Sequence, residues 1–140
     1  MVSAKIVSRF TGVLPEAGAD RTIPGGPLYP QDEVLTLLKN GDGVIRAWTR
    51  NCAADVQQLA FDSDDLVLLI TEAVTRGRFS GSEWCQQKPS GPWAACDAYA
   101  LTRGEWVAAA RKKLAVNYYC KFALGKTGTI LLLVSCHLSS

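Results

Sequence analysis

One stretch, Ala115 to His137, restricts the fold more than any other. It reads Ala-Val-Asn-Tyr-Tyr-Cys-Lys-Phe-Ala-Leu, then Gly-Lys-Thr-Gly, then Thr-Ile-Leu-Leu-Leu-Val-Ser-Cys-His. Two runs rich in β-branched, aromatic and apolar residues flank a glycine-bracketed turn, which predicts two paired strands. Side chains alternate across a strand. Val116, Tyr118, Cys120, Phe122 and Leu124 therefore share one face, and Asn117, Tyr119 and Lys121 the other. In the second run Ile130, Leu132, Val134 and Cys136 are expected on one face, opposite Ser135 and His137. If both apolar sets enter one core, the loop must be odd in length. Lys126-Thr127-Gly128, with Gly128 left-handed in a bulge, would meet that need. Tyr119, Lys121, Ser135 and His137 then share the open face. His137 is the only histidine among the 140 residues.

The remaining composition suits one compact domain. The chain is 48% hydrophobic, enough for a sizeable core. Five cysteines, Cys52, Cys85, Cys96, Cys120 and Cys136, form an odd set without C-x-x-C spacing. Neither a zinc site nor a disulfide framework is indicated, and no metal or other cofactor is expected. Reduced thiols in a predicted core suit a reducing, cytoplasmic setting. The first residues lack a long apolar h-region, and Ile130–Val134 is too short to span a bilayer, so no membrane association is expected.

Charge is unevenly placed. Residues 1–75 hold 6 Lys and Arg against 10 Asp and Glu, a net of −4, whereas residues 76–140 hold 9 against 3, a net of +6. The basic half is the half with the histidine. Such asymmetry points to a polyanion or an acidic partner on that side.

Residues 2–9 could form a short strand. Residues 1–28, rich in Pro and Gly, read as an irregular N-terminal arm, and residues 29–140 as one domain. Tyr29-Pro30 opens a helix with Asp32 and Glu33 in its first turn and Val34, Leu35, Leu37 and Leu38 along it. Asn40-Gly41 stops it, and Val44–Trp48 is a strand candidate. Asn51 is expected to cap a helix over Cys52–Leu59, and Ser63 a third helix that ends at Gly77. Arg78–Gln86 and Trp93–Leu101 read as strands around the turn of residues 88–92. Glu105–Lys113 reads as a short helix or an extended loop. Helices first and strands after define an α+β class: N-terminal helices packed on a mostly antiparallel twisted sheet.

The chemistry-bearing residues follow from this layout. A lone histidine at a strand end is usually a surface residue. Here it shares a face with Tyr119 and Lys121, and these three are the expected catalytic residues. Such a set can perform acid–base work on a phosphodiester without a metal. Arg78, Arg103, Arg111, Lys112 and Lys113 are the expected RNA-binding residues, with Trp84, Trp93, Trp106 and Tyr99 as core or base-stacking aromatics. A competing set pairs Cys85 or Cys96 with His137, oriented by Asp97. Gly125-Lys126-Thr127-Gly128 lacks the full phosphate-loop pattern and precedes a strand, so it is not read as one.

Over about residues 29–138 the chain resembles the MqsR family of bacterial toxins, messenger-RNA interferases with a RelE-like fold. The resemblance rests on Tyr29-Pro30 with its Val/Leu helix, Phe61-Asp62-Ser63-Asp64-Asp65, Arg78-Phe79-Ser80-Gly81-Ser82, Trp93 through Asp97-Ala98-Tyr99, Tyr119-Cys120-Lys121 and Val134-Ser135-Cys136-His137. Gly81 stands where the family has a lysine, and the family's glutamine after the tryptophan is missing. Tyr119 matches the family tyrosine, and His137 stands at the basic residue that ends the last strand. The resemblance implies a RelE-like domain and a metal-independent endoribonuclease toxin of a type II toxin–antitoxin system. Its partners would be messenger RNA and a cognate antitoxin protein. The alternative is a non-catalytic RelE-like module that binds RNA or a protein through its basic sheet face.

Overall fold

The computed structural model describes residues 5–41 and 43–139. Residues 2–4 of the expected first strand lie outside them. In chain order the elements are β1 (Thr22–Ile23), α1 (Gln31–Leu38), β2 (Ile45–Ala47), α2 (Arg50–Leu59), α3 (Ser63–Arg76), β3 (Arg78–Gln86), β4 (Trp93–Val107), β5 (Lys112–Leu124) and β6 (Leu131–Leu138). The six strands form one sheet in the order β1-β3-β4-β5-β6-β2. The architecture is thus mixed α/β, with three helices and a six-stranded sheet. Two expectations need correction. The helices do not simply lead, because β1 precedes them and β2 lies between α1 and α2. The sheet is mixed, because β2 pairs in parallel with β6 while the other neighbours are antiparallel. A crossover through α2, α3 and the β3–β6 meander returns the chain to β2, and a parallel pair requires such a long connection.

Local chemistry sets the helix ends. Pro30 precedes α1, and Asp32 and Glu33 occupy its first turn. Thr49, not Asn51, caps α2: its hydroxyl accepts from the Cys52 N–H at 3.1 Å. Asp62, not Ser63, caps α3. Its carboxylate accepts from the Asp65 N–H, and the Asp65 carboxylate accepts from the Asp62 N–H, each at 2.9 Å. In both helices the cap is one or two residues earlier than expected, since a β-conformation residue with a free oxygen stands just upstream.

The core lies where helix residues Val34, Leu37, Leu69, Ile70 and Ala73 meet Cys120, Phe122, Leu124, Leu131, Leu133 and Cys136. Tyr99 stacks on Phe122, with centroids 5.9 Å apart and planes 8° from parallel. Burying Phe122 completely contributes about 1.5–3 kcal/mol.

The C-terminal hairpin forms, but with a different register from the one expected. Gly125 N–H donates to the Ile130 carbonyl and Gly128 N–H to the Gly125 carbonyl, each at 2.9 Å, which leaves an even loop of residues 126–129. Gly128 is left-handed, with φ 73°. Parity is restored by a bulge in β6: Phe122 pairs with Leu133 and Lys121 with Ser135, so Val134 is the extra residue. Leu131 and Leu133, not Ile130 and Leu132, therefore share the core face with Phe122 and Leu124. A bulge of this kind moves every residue beyond it to the opposite face.

Glu105–Lys113 is neither a helix nor a loop. It is the far end of a long two-stranded ribbon, in which Trp106 pairs with Lys113 and Val107 with Lys112. The turn at its tip includes Arg111 at φ 53°. Residues 101–107 of β4 and 112–117 of β5 run beyond the neighbouring strands, a reach of about 20 Å.

The N-terminal segment is woven into the sheet. Val7 N–H donates to the Trp93 carbonyl at 2.9 Å, and Arg9 N–H to the Leu124 carbonyl at 2.8 Å. Asp97, fully buried on β4, accepts from the Leu28 N–H at 2.9 Å, the Tyr29 N–H at 3.0 Å and the Ser82 hydroxyl at 2.6 Å. This carboxylate ties residues 28 and 29 to the sheet just before α1 begins.

Candidate functional site

The face of the sheet opposite Phe122 carries the expected site. Register alone aligns its residues. Arg78 pairs with Ala100, Ala100 with Tyr119, and Tyr119 with His137. These four positions form one row across β3, β4, β5 and β6. The next row is Gly81, Ala98, Lys121 and Ser135. Neighbouring strands lie about 4.8 Å apart, so Arg78 and Tyr119 start about 10 Å apart with only the Ala100 methyl between them. Gly81 and Ala98 leave a hollow of about 180 Å³ walled by Tyr119, Glu83 and Ser80. Gly81 sits at φ 125°, a conformation that side-chain-bearing residues avoid, where β3 bulges between Phe79 and Gly81. A lysine, which the family resemblance would place there, is disfavoured by this backbone.

Tyr119 and His137 stack, with ring centroids 5.4 Å apart and planes inclined by 27°. His137 Nδ1 lies 3.0 Å from the Leu138 carbonyl oxygen. When Nδ1 carries the proton it donates to that oxygen, and Nε2 is left as an exposed acceptor. Burial holds the Tyr119 phenol above its ordinary value of 10.0; Lys121 opposes this, and Glu83 adds to it. The phenol is therefore a proton donor at neutral pH.

Lys121 is not a free cation. Its ammonium lies 2.5 Å from Glu83, and its side chain is only 15% exposed. Burial works against its charge, but Cys85 and Glu83 beside it outweigh that and hold it above its ordinary value. Glu83 joins the site although the motif reading of the sequence does not include it. The clue was its position, two residues beyond Gly81 on the same strand face.

The expected RNA-binding residues separate into three places. Arg78 is exposed and belongs to the row. With Arg76, Thr102 and Asn117 it also lines a depression of about 470 Å³ at the root of the ribbon. Arg111, Lys112 and Lys113 are exposed at the ribbon tip. Arg103 is on the opposite face, 3.5 Å from Glu72, 3.3 Å from Glu105 and above the Tyr118 ring. Among the aromatics, Trp84 and Tyr99 are core, Trp93 lies under the Arg21 guanidinium at 4.8 Å, and Trp106 is 64% exposed on the ribbon.

The alternative Cys–His–Asp set is not assembled. Asp97 is on the opposite face from Cys96 and is occupied by Leu28, Tyr29 and Ser82. All five cysteines are buried and unbridged. Among the described residues, no group of three or more His, Cys, Asp or Glu side chains is placed to hold a metal ion. No helix of the described residues is long and apolar enough to cross a membrane.

Compared with known proteins, the chain matches no family model, no curated protein and no solved structure.

Proposed function

We propose that the chain is a metal-independent endoribonuclease that works on single-stranded messenger RNA in the cytoplasm, as a RelE-like toxin held in check by a cognate antitoxin protein. The carrying observation is the row itself: an exposed arginine, a small-residue gap, a protonated tyrosine and a stacked histidine across four adjacent strands. The toxin and antitoxin parts of the reading rest on the MqsR-like run of residues alone.

In this reading the 2′-hydroxyl of one nucleotide attacks its own 3′-phosphate. His137 Nε2 takes the hydroxyl proton as the O2′–P bond forms. Tyr119 gives its proton to O5′ as the P–O5′ bond breaks. Arg78 stabilises the charge that builds on the non-bridging oxygens, and Lys121 adds a weaker field because Glu83 offsets it. The products are a 2′,3′-cyclic phosphate and a 5′-hydroxyl, and no redox partner or metal takes part. The test incubates purified protein with RNA in the presence of a chelator and maps the product ends. Cyclic phosphate ends that disappear in His137→Ala and in a 2′-deoxy substrate support the reading. Intact RNA with wild-type protein overturns it.

One observation favours a binding module without catalysis. Glu83 neutralises the lysine expected to stabilise the phosphate. In that reading the same row grips RNA, and intact RNA bound through Arg78 and Tyr119 is the distinguishing result.

A further inference from the structure

A broad concavity of the open face lies beyond the row, between the start of α2 and the β3–β4 turn. It encloses about 960 Å³, and its lining includes Trp48, Arg50, Gln87, Lys88 and Ser135, with Arg21 at the rim. Among the described residues three cations line it and no carboxylate does. They come from distant parts of the sequence, and two of them lie in the acidic half.

The cations differ in how far they are already occupied. Arg21 rests on the Trp93 ring. Arg50 and Lys88 are exposed and make no ion pair among the described residues. The walls are fixed from within. Gln87 Nε2 donates to the Trp48 carbonyl at 2.9 Å, Gln86 Nε2 to the Gly91 carbonyl at 3.0 Å, and the Thr49 hydroxyl to the Val134 carbonyl at 3.1 Å. The first hydrogen bonds of α2 run to Thr49 from Cys52 and Ala53, and the Arg50 and Asn51 N–H groups have no partner among the described residues. The cleft meets the row next to that of Tyr119 and His137: Ser135 lines the cleft, pairs with Lys121, and is two residues from His137.

We propose that this cleft is a second track for single-stranded RNA. It would hold backbone phosphates between Arg50 and Lys88 and one base against Trp48, on a strand that continues along β6 from the Tyr119–His137 pair. The proposal deepens the ribonuclease reading above and rests on RNA as the ligand of the open face. Three features favour RNA over a protein: unpaired cations without carboxylates, an aromatic wall, and continuity with a row suited to a phosphodiester.

The test uses fluorescein-labelled 2′-O-methyl oligouridylates of 4 and 12 nucleotides, which cannot be cleaved, with anisotropy read at several salt concentrations. The variant is Arg50→Glu/Lys88→Glu. The control is Lys39→Glu/Lys126→Glu, which makes the same change in net charge at exposed positions outside the cleft. The 12-mer should bind the control like wild type and the cleft variant about tenfold or more weakly, with a flatter salt dependence. The 4-mer should separate the two variants much less. Equal 12-mer affinity for cleft variant and control overturns the proposal. A deca-glutamate peptide that binds through Arg50 and Lys88 where RNA does not also overturns it, and reassigns the cleft to an acidic protein. Failure of the catalytic reading is separate. If wild type leaves ordinary RNA uncut yet the 12-mer still binds through Arg50 and Lys88, the cleft stands and the nuclease falls. If RNA is cut and the cleft variant binds like the control, the reverse holds.

Discussion

Tyr119 and His137 face each other directly across β5 and β6, with their rings stacked 5.4 Å apart. The contact leaves the phenol half-buried and the imidazole exposed. The two groups thus differ in what they can do: the phenol keeps its proton, and the histidine edge is open to a substrate.

His137→Ala should remove RNA cleavage by ~10²–10⁴ while leaving the melting temperature within about 2 °C of wild type, since an exposed strand-end side chain leaves no core cavity. His137→Lys should restore part of the rate with an optimum at higher pH, because a lysine is a poor base at neutral pH. Rates with purified variants across pH, alongside thermal melts, decide this. A His137→Ala variant that melts normally and cuts at full rate makes His137 a surface residue and no more.

Glu83→Gln separates stability from function at the neighbouring position. It leaves the mostly buried Lys121 ammonium without its carboxylate. The loss should be about 1 kcal/mol, because Glu83 itself is partly in water. It also unmasks a cation in the row next to Tyr119 and His137. Affinity for single-stranded RNA should therefore rise severalfold as the melting temperature drops. Equal or weaker RNA binding would show that Lys121 lies off the path of the phosphates.

Much of this site could be read from the chain because a two-residue period needs only local information. Tyr119, Lys121, Ser135 and His137 emerge on one face by counting, and Arg78 joins them once β3 is recognised. The β6 bulge at Val134 could not be read. Ile130 to Val134 is apolar at every position, so periodicity carries no signal about which residues face the core. Local pattern also hides the ribbon: Ala108-Ala109-Ala110 has helical propensity, and the pairing of Trp106 with Lys113 overrides it. The parallel pairing of β2 and the Arg50–Lys88 cleft depend on contacts between residues tens of positions apart, which no local pattern announces.

Asp97 is the test of how the N-terminal segment is held. Its carboxylate accepts three hydrogen bonds and has no exposure. Asp97→Asn removes the charge and turns an amide NH₂ toward at least one N–H or hydroxyl donor. The expected loss is about 2–3 kcal/mol. Proteolysis should appear first at residues 11–28, before the core melts. A variant with wild-type stability and an uncut N-terminal segment would show that the backbone pairing of residues 7 and 9 suffices to hold it.

The buried thiols predict how stability changes in alkali. Burial pushes Cys52 and Cys120 up to about 12 and Cys136 to about 11, from an ordinary value of 9.0; neighbouring thiols add to each of the first two, and Asp55 adds to Cys52 and Cys136. Between about pH 9 and 11 the unfolded chain has lost these protons and the folded chain has kept them. The unfolded state then binds fewer protons, so stability falls as pH rises. The contribution is fully present below pH 9 and is lost as pH climbs through the folded values. Lys121, raised above its ordinary 10.5, acts in the same direction at the upper end of this range. The melting temperature should be level from pH 7 to 8.5 and decline steadily towards pH 11. Cys120→Ala should be less stable at pH 7 because it opens a cavity, yet decline less steeply in alkali because one thiol has been removed from the balance. Equal slopes for wild type and Cys120→Ala would mean that Cys120 loses its proton as readily in the folded chain as in the unfolded one, and would assign the alkaline decline to the remaining groups.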